Sequence, residues 1–401
     1  MQIRQLGAGD YDDRMALSQF AFQMRLTEEQ LELRRKSYRP EEEWGAFDER
    51  GELLSALSIL PLETWLQGRL LRMGGVAGVA TWPEARRQGC VSKLLLHALT
   101  VMKREGQTVS MLHPFSFGFY RRYGYEMTIE RKKYTIETRQ LPPRKDTPGF
   151  VKRMAERDTA VLDAIYSAYA SRYNGNILRT PSWWNERVFR KEGMFAVYYR
   201  EDRTPEGYVF YEIANGLMTL HEMAYVSDTA YTALWTFVAN HDSMISEVTW
   251  MAPVDDSLPF LLPDPRIRQE IVPYFMTRIV DAQAFVKEYA WEPDAENREN
   301  EETVLLRLTD EHAPWNEGEF RLVWSAAGEG RLERIEAGEA ASRAADEDFI
   351  SCDIQGLAAM LAGGRRPTWL AAVGRIAGPG ERLRVLERRI PNRTAYLVDF
   401  F

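Results

Sequence analysis

Apolar residues between positions 90 and 104 recur with helical spacing. Val91, Leu94, Leu95, Ala98, Leu99 and Met102 fall at i, i+3, i+4, i+7, i+8 and i+11, so one stripe of a helix faces a core. Lys103 and Arg104 suit the negative end of that helix, and Gly106 is placed to stop it. Just upstream, residues 74–81 are small or β-branched and carry no charge, the pattern of a strand covered on both faces, and Pro83 closes the run. Residues 53–65 and 69–73 predict strands turned at Gln67-Gly68, after an earlier turn at 48–51. Asp10 caps a helix to about Phe22, and Thr27 with Gln30 has capping-box spacing for a second. Helices, an antiparallel meander, then strand, helix and strand predict an α/β sheet that turns parallel around the 90–104 helix.

Residues 139–149 hold three prolines and no period, which marks a boundary. The pattern then repeats loosely. A helix over 158–173 leads to Thr180-Pro181, a helix start, and to Trp183 and Trp184. Strands over 195–199, 207–213 and 217–225 follow, the last two joined by Asn215-Gly216, then a helix over 228–240 and a strand over 247–252. This order echoes residues 43–126, without the arginines and glycine that precede the first unit's helix. The acidic run 291–302 marks a second boundary. A smaller α+β unit follows, with strands at 303–308, 320–324, 331–335 and 348–353 and helical stretches near 357–361, 369–373 and 381–388. The expected domains are 1–140, 150–288 and 291–401.

Composition adds limits. A chain of 401 residues accommodates several cores. The net charge of −8 argues against a general polyanion-binding surface, and so against nucleic acid, and permits a cationic ligand. Two cysteines, Cys90 and Cys352, cannot form a disulfide framework. With no apolar run long enough to span a bilayer and no apolar leader, a cytoplasmic protein without membrane attachment is expected. The histidines lack ligand spacing, so no metal site is expected.

Candidate chemistry gathers at the start of the 90–104 helix. There Arg86, Arg87 and Gly89 place guanidinium groups beside free N–H groups and a positive dipole end. The run Val79-x-Thr81-x-Pro83-x-x-Arg86-Arg87-Gln88-Gly89, with Gly118-Phe119-Tyr120-Arg121-Arg122-Tyr123-Gly124-Tyr125-Glu126 after the helix, resembles the GNAT superfamily of acetyl-coenzyme A dependent N-acetyltransferases. The three-part layout and the apolar tail, Tyr396 to Phe401, narrow the resemblance to the Eis-type (enhanced intracellular survival) enzymes. Val91 departs from the general pattern, which has glycine or alanine there.

The resemblance implies an α/β GNAT domain, a second, degenerate GNAT-like domain and an α+β sterol-carrier-protein-like domain. It implies acetyl-coenzyme A as cosubstrate, held by Arg86, Arg87 and the N–H groups of Gln88, Gly89 and Cys90, with Val79 and Thr81 beside the pantetheine arm. Tyr120 matches the family's catalytic acid, and the α-carboxylate of Phe401 matches the group that holds the amine. The implied acceptors are primary amines of polycationic small molecules such as aminoglycosides, and the implied assembly is a homo-hexamer. Two alternatives stand beside this reading: a lipid-binding or assembly protein working through the third domain, and a protein lysine N-acetyltransferase.

Overall fold

The computed structural model describes residues 1–293, 301–325, 327–336 and 348–401; residues 294–300 of the acidic run lie outside the described residues. The first unit supplies strands β1 (Gln2–Gln5), β2 (Glu43–Phe47), β3 (Leu53–Leu66), β4 (Arg69–Thr81), β5 (Val109–Leu112) and β6 (Glu126–Glu137). Its helices are α1 (Tyr11–Ala21), α2 (Glu28–Lys36), α3 (Cys90–Arg104) and α4 (Phe117–Arg121). Thr27 caps α2 as its spacing predicts, its hydroxyl accepting from the Gln30 N–H. The two runs expected over 69–81 are one strand, β4, paired antiparallel along its length with β3.

The second unit carries β7 (Phe150–Arg153), β8 (Met194–Tyr199), β9 (Pro205–Ala214), β10 (Leu217–Tyr225), β11 (Glu247–Ala252) and β12 (Arg268–Ile279). Its helices are α5 (Thr159–Ala170), α6 (Pro181–Trp183), which runs into a π-helical turn (Trp184–Val188), and α7 (Asp228–Ala239). All twelve strands form one sheet in the order β1-β2-β3-β4-β5-β12-β6-β11-β10-β9-β8-β7. The two units are therefore interleaved. Strand β12 of the second lies between β5 and β6 of the first, and β6 pairs on its other side with β11. Neither β6 nor β12 follows from the apolar pattern.

After α8 (Ala282–Glu288) comes a five-stranded sheet of β13 (Glu302–Thr309), β14 (Gly318–Trp324), β15 (Gly330–Arg334), β16 (Phe349–Asp353) and β17 (Ile376–Ala377), in the order β15-β14-β13-β16-β17. Helices α9 (Ile354–Leu361), α10 (Pro367–Ala372) and α11 (Gly380–Arg389) complete it. One buried apolar cluster runs from Met73 and Phe275 in the large sheet through Leu306 and Met360 to Phe401, so the three units share a core. Buried Arg278 of β12 joins all three. Its guanidinium donates to the Tyr123 carbonyl (2.6 Å) in the first unit and to both carboxylate oxygens of Asp310 (2.8 Å each) in the third.

Two adjacent glycines fix what lies on each face of β4. A Cβ on Gly74 would meet Met102 Sδ of α3 at 2.2 Å, and one on Gly75 would meet the Phe401 ring at 2.9 Å. Successive strand residues face opposite sides. Gly74 thus admits the helix and Gly75 the C-terminal tail.

Candidate active site

Strands β4 and β5 are parallel neighbours from Met73–Val109 to Gly75–Met111 and then part. Beyond Gly75, β4 continues to Thr81 with β3 on one side and no strand on the other among the described residues. The gap opens a cleft of about 1720 Å³ between the first and second units. Val79, Thr81, Arg86, Arg87, Gly89, Cys90, Tyr120 and Phe401 all line it. The remaining residue of the expected cofactor set, Gln88, does not; its side-chain amide donates to the Glu84 carbonyl (2.7 Å).

Between β4 and α3 the backbone makes a turn with two positive-φ residues. Arg87 and Gly89 both take positive φ (62° and 80°), an alternation that turns successive N–H groups toward one side. Only Gly89 does this without steric cost; a non-glycine residue held there is strained by about 1–3 kcal/mol and marks functional turns. The N–H groups of Cys90, Val91 and Ser92, the first three of α3, have no acceptor among the described residues. Arg86 and Arg87 are exposed, and neither guanidinium has a hydrogen bond or ion pair among the described residues. Free donors and unpaired cations on one side of a helix start suit a pyrophosphate.

The opposite wall is the aromatic turn around α4. Ser116 starts it, its hydroxyl accepting from the Phe119 N–H (3.4 Å), and Gly124 (φ 82°) ends it where a Cβ would run into Arg278. Three tyrosines lie here, and their hydroxyls differ. Tyr123 bonds Ser92 Oγ, and Tyr125 bonds Ser110 Oγ (2.7 Å). Tyr120 is packed among Phe115, Phe119 and Tyr125, yet its hydroxyl has no partner among the described residues and is not sealed from the cleft. Burial pushes its pKa up, so the phenol stays protonated at neutral pH.

The tail enters from the second unit's side. Arg131 donates to the carbonyls of Leu397 (2.8 Å) and Val398 (2.6 Å), Asn176 accepts from the Val398 N–H (3.1 Å), and Tyr274 donates to the Asp399 carbonyl (2.8 Å). The Asp399 carboxylate is buried, accepting from Arg179 (3.1 Å), Trp183 Nε1 (2.8 Å) and Tyr166 (3.1 Å). Arg179 in turn is bidentate to Glu222. So anchored, the tail lays the Phe401 ring 4.9 Å from Phe275 and 6.3 Å from Trp183, centre to centre.

Residues 2–128 and 175–279 each match an acetyltransferase (GNAT) domain, and residues 282–398 match a sterol carrier protein domain. The chain is a GNAT-type acetyltransferase. A curated N-acetyltransferase of Streptomyces avermitilis, itself uncharacterized, is 24% identical to it over 83% of this chain and 81% of its own. Among solved structures, one from Enterococcus faecalis, described as a "Probable N-Acyltransferase", is 27% identical, has a TM-score of 0.89 and covers 100% of this chain and 99% of its own. Eis1 of Mycobacterium abscessus shares the fold at 21% identity, with a TM-score of 0.81 and both chains fully covered.

As a GNAT enzyme the acetyltransferase uses an acyl-coenzyme A, and the free donors of the 86–92 turn fit its phosphates. Cys90 is buried, its thiol donating to the Ala85 carbonyl (3.6 Å), and burial raises its pKa, which disfavours the thiolate. His113 stands in no motif of the sequence, and the histidines lack ligand spacing. It follows β5, lines the cleft and packs against Phe400 (5.0 Å) and Tyr274 (5.4 Å). Partial burial and the charge of Arg131 lower its pKa, which leaves a neutral imidazole able to accept a proton. Only the parting of β4 and β5 reveals its place. Among the described residues no helix is long and apolar enough to cross a membrane.

Proposed function

We propose that the acetyltransferase moves an acetyl group from acetyl-coenzyme A to a primary amine of a small molecule. Arg86, Arg87 and the N–H groups of Gln88, Gly89 and Cys90 hold the pyrophosphate; for Gln88 this is a backbone role, since its side chain turns away. Val79 and Thr81 flank the pantetheine arm on the open edge of β4. The reaction needs one proton removed from the amine and one delivered to the departing thiolate. Tyr120 delivers the second. The α-carboxylate of Phe401 holds the ammonium group and passes its proton to water. The observation that carries this reading is the single unpartnered hydroxyl among three tyrosines in one turn, aimed into the cleft that Phe401 also lines.

Polycationic acceptors, aminoglycosides among them, are what the Eis-type resemblance implies, as it implies a homo-hexamer. The charge of the cleft favours a different class of amine. Thiol release from acetyl-coenzyme A, followed across a panel of amines, tests the reaction, and no amine-dependent release would sink it. A chain extended by a few residues past Phe401 should still bind acetyl-coenzyme A and lose most of its turnover. Full activity in that variant removes the carboxylate from the mechanism.

A further inference from the structure

Among the arginines that line the cleft, three lie on α2 and around the π-helical turn: Arg34 of α2, and Arg187 and Arg190 within and just after that turn. None has a hydrogen bond or ion pair to a carboxylate among the described residues. They sit close enough to feel one another. Partial desolvation by the cleft walls lowers the Arg187 pKa; Glu186 opposes this, the like charges of Arg190 and Arg34 add to it by less, and Asp399 opposes it by less again. Trp183 ties this cluster to the acceptor end. The Arg187 guanidinium carbon lies 5.4 Å from the Trp183 ring centre, and that ring is 6.3 Å from the ring of Phe401.

The acidic side chains of the cleft do not balance them. Glu43 is engaged by Arg14 (2.8 Å) and Ser58, and Glu42 faces Arg39 (3.4 Å). Among the described residues that line the cleft, Glu186 is the one acidic side chain with no hydrogen bond or ion pair. On this wall Arg34, Arg187 and Arg190 stand against one acidic side chain without an ion pair, Glu186, in a chain of net charge −8. Guanidinium groups that converge from separate elements without a carboxylate repel one another unless a ligand supplies the missing charge, and their planar donor forks match carboxylate and phosphate oxygens.

Resting on the acyl-transfer reading above, we propose that the acceptor is a small primary amine that also carries an anionic group, carboxylate or phosphate, bound by Arg34, Arg187 and Arg190. The ammonium end faces Phe401 and the anionic end faces the arginines. A polycation meets repulsion at this wall.

Thiol release from acetyl-coenzyme A by the full chain tests this with matched amines: O-phosphoethanolamine against ethanolamine, γ-aminobutyrate against butylamine, and kanamycin as the polycation. The anionic member of at least one pair should show a kcat/KM at least tenfold above its neutral partner, and the pair with the larger ratio tells phosphate from carboxylate. The double variant Arg187→Gln, Arg190→Gln should bring that ratio toward one by raising the KM for the anionic amine. Arg187→Lys with Arg190→Lys, which keeps the charge, should retain most of it. Ratios of one or less in both pairs, or kanamycin as the preferred acceptor, overturn the proposal. So does a double variant whose effect falls on the KM for acetyl-coenzyme A, because the wall then serves the cosubstrate's phosphates. Absence of thiol release with every amine overturns the acyl-transfer reading itself, and this inference with it.

Discussion

Removing a hydroxyl that bonds nothing among the described residues costs little in packing, so the aromatic turn allows a clean test of chemistry at a single residue. Tyr120→Phe keeps the ring contacts to Phe115, Phe119 and Tyr125 and deletes only the unpartnered oxygen. We expect turnover to fall by roughly 100-fold or more, the usual contribution of a positioned general acid, with a smaller change in the KM for acetyl-coenzyme A. Steady-state kinetics on the folded variant check this, and unchanged turnover removes Tyr120 from the mechanism. The sequence motif picks out position 120 among five nearby aromatics, but not the reason it differs from Tyr123 and Tyr125. That reason lies in Ser92 and Ser110, which satisfy the other two hydroxyls. The arginines of the acceptor wall were illegible for a related cause. Arg34 and Arg187 stand in separate units, and no local pattern signals that side chains so far apart in sequence converge.

Elements with a strong period were legible, and those whose position depends on a distant partner were not. The buried residues Leu94, Leu95, Ala98, Leu99 and Met102 of α3 belong to the stripe the spacing predicts. Strand β12 carries Pro273 in its interior, which argues against a central strand because proline cannot donate to the ladder. The sheet accommodates it with register shifts between Pro273 and Met276, so β12 pairs with β6 up to the proline and with both β6 and β5 beyond it. Arg278, near the end of this strand, is the point where the aromatic turn is held. Arg278→Met leaves the Asp310 carboxylate buried without its cation and the Tyr123 carbonyl without its donor. Loss of one partner of such a buried pair costs about 3–5 kcal/mol. Denaturant titration of the variant should show that loss, and a stability within 1 kcal/mol of the parent, a margin set roughly by what exposed pairs contribute, rejects the assignment.

At the scale of the whole molecule, the interleaving of β6 and β12 makes the two large units mutually dependent, although each matches a domain model of its own. A fragment of residues 1–140 retains the 86–92 turn and Tyr120 but leaves the facing edges of β5 and β6 unpaired. Open edges of that kind recruit other chains. We expect the fragment to aggregate or to unfold without cooperativity, as size-exclusion chromatography and thermal melts would record. A monomeric fragment with a sharp transition would show that β12 is dispensable. The tail extends this dependence, because Gly75 of the first unit is shaped to receive Phe401. The same contact sets a schedule for the growing chain. At 5–20 residues per second, residues 280–401 take roughly 6–24 s to make once β12 has been synthesised. During that interval the nascent protein already has its 86–92 turn while the seat over Gly75 stands vacant. On the proposed reading, phosphate-binding capacity therefore matures before the amine-binding end, and a newborn chain passes through a stage in which only one of its two substrates has a place.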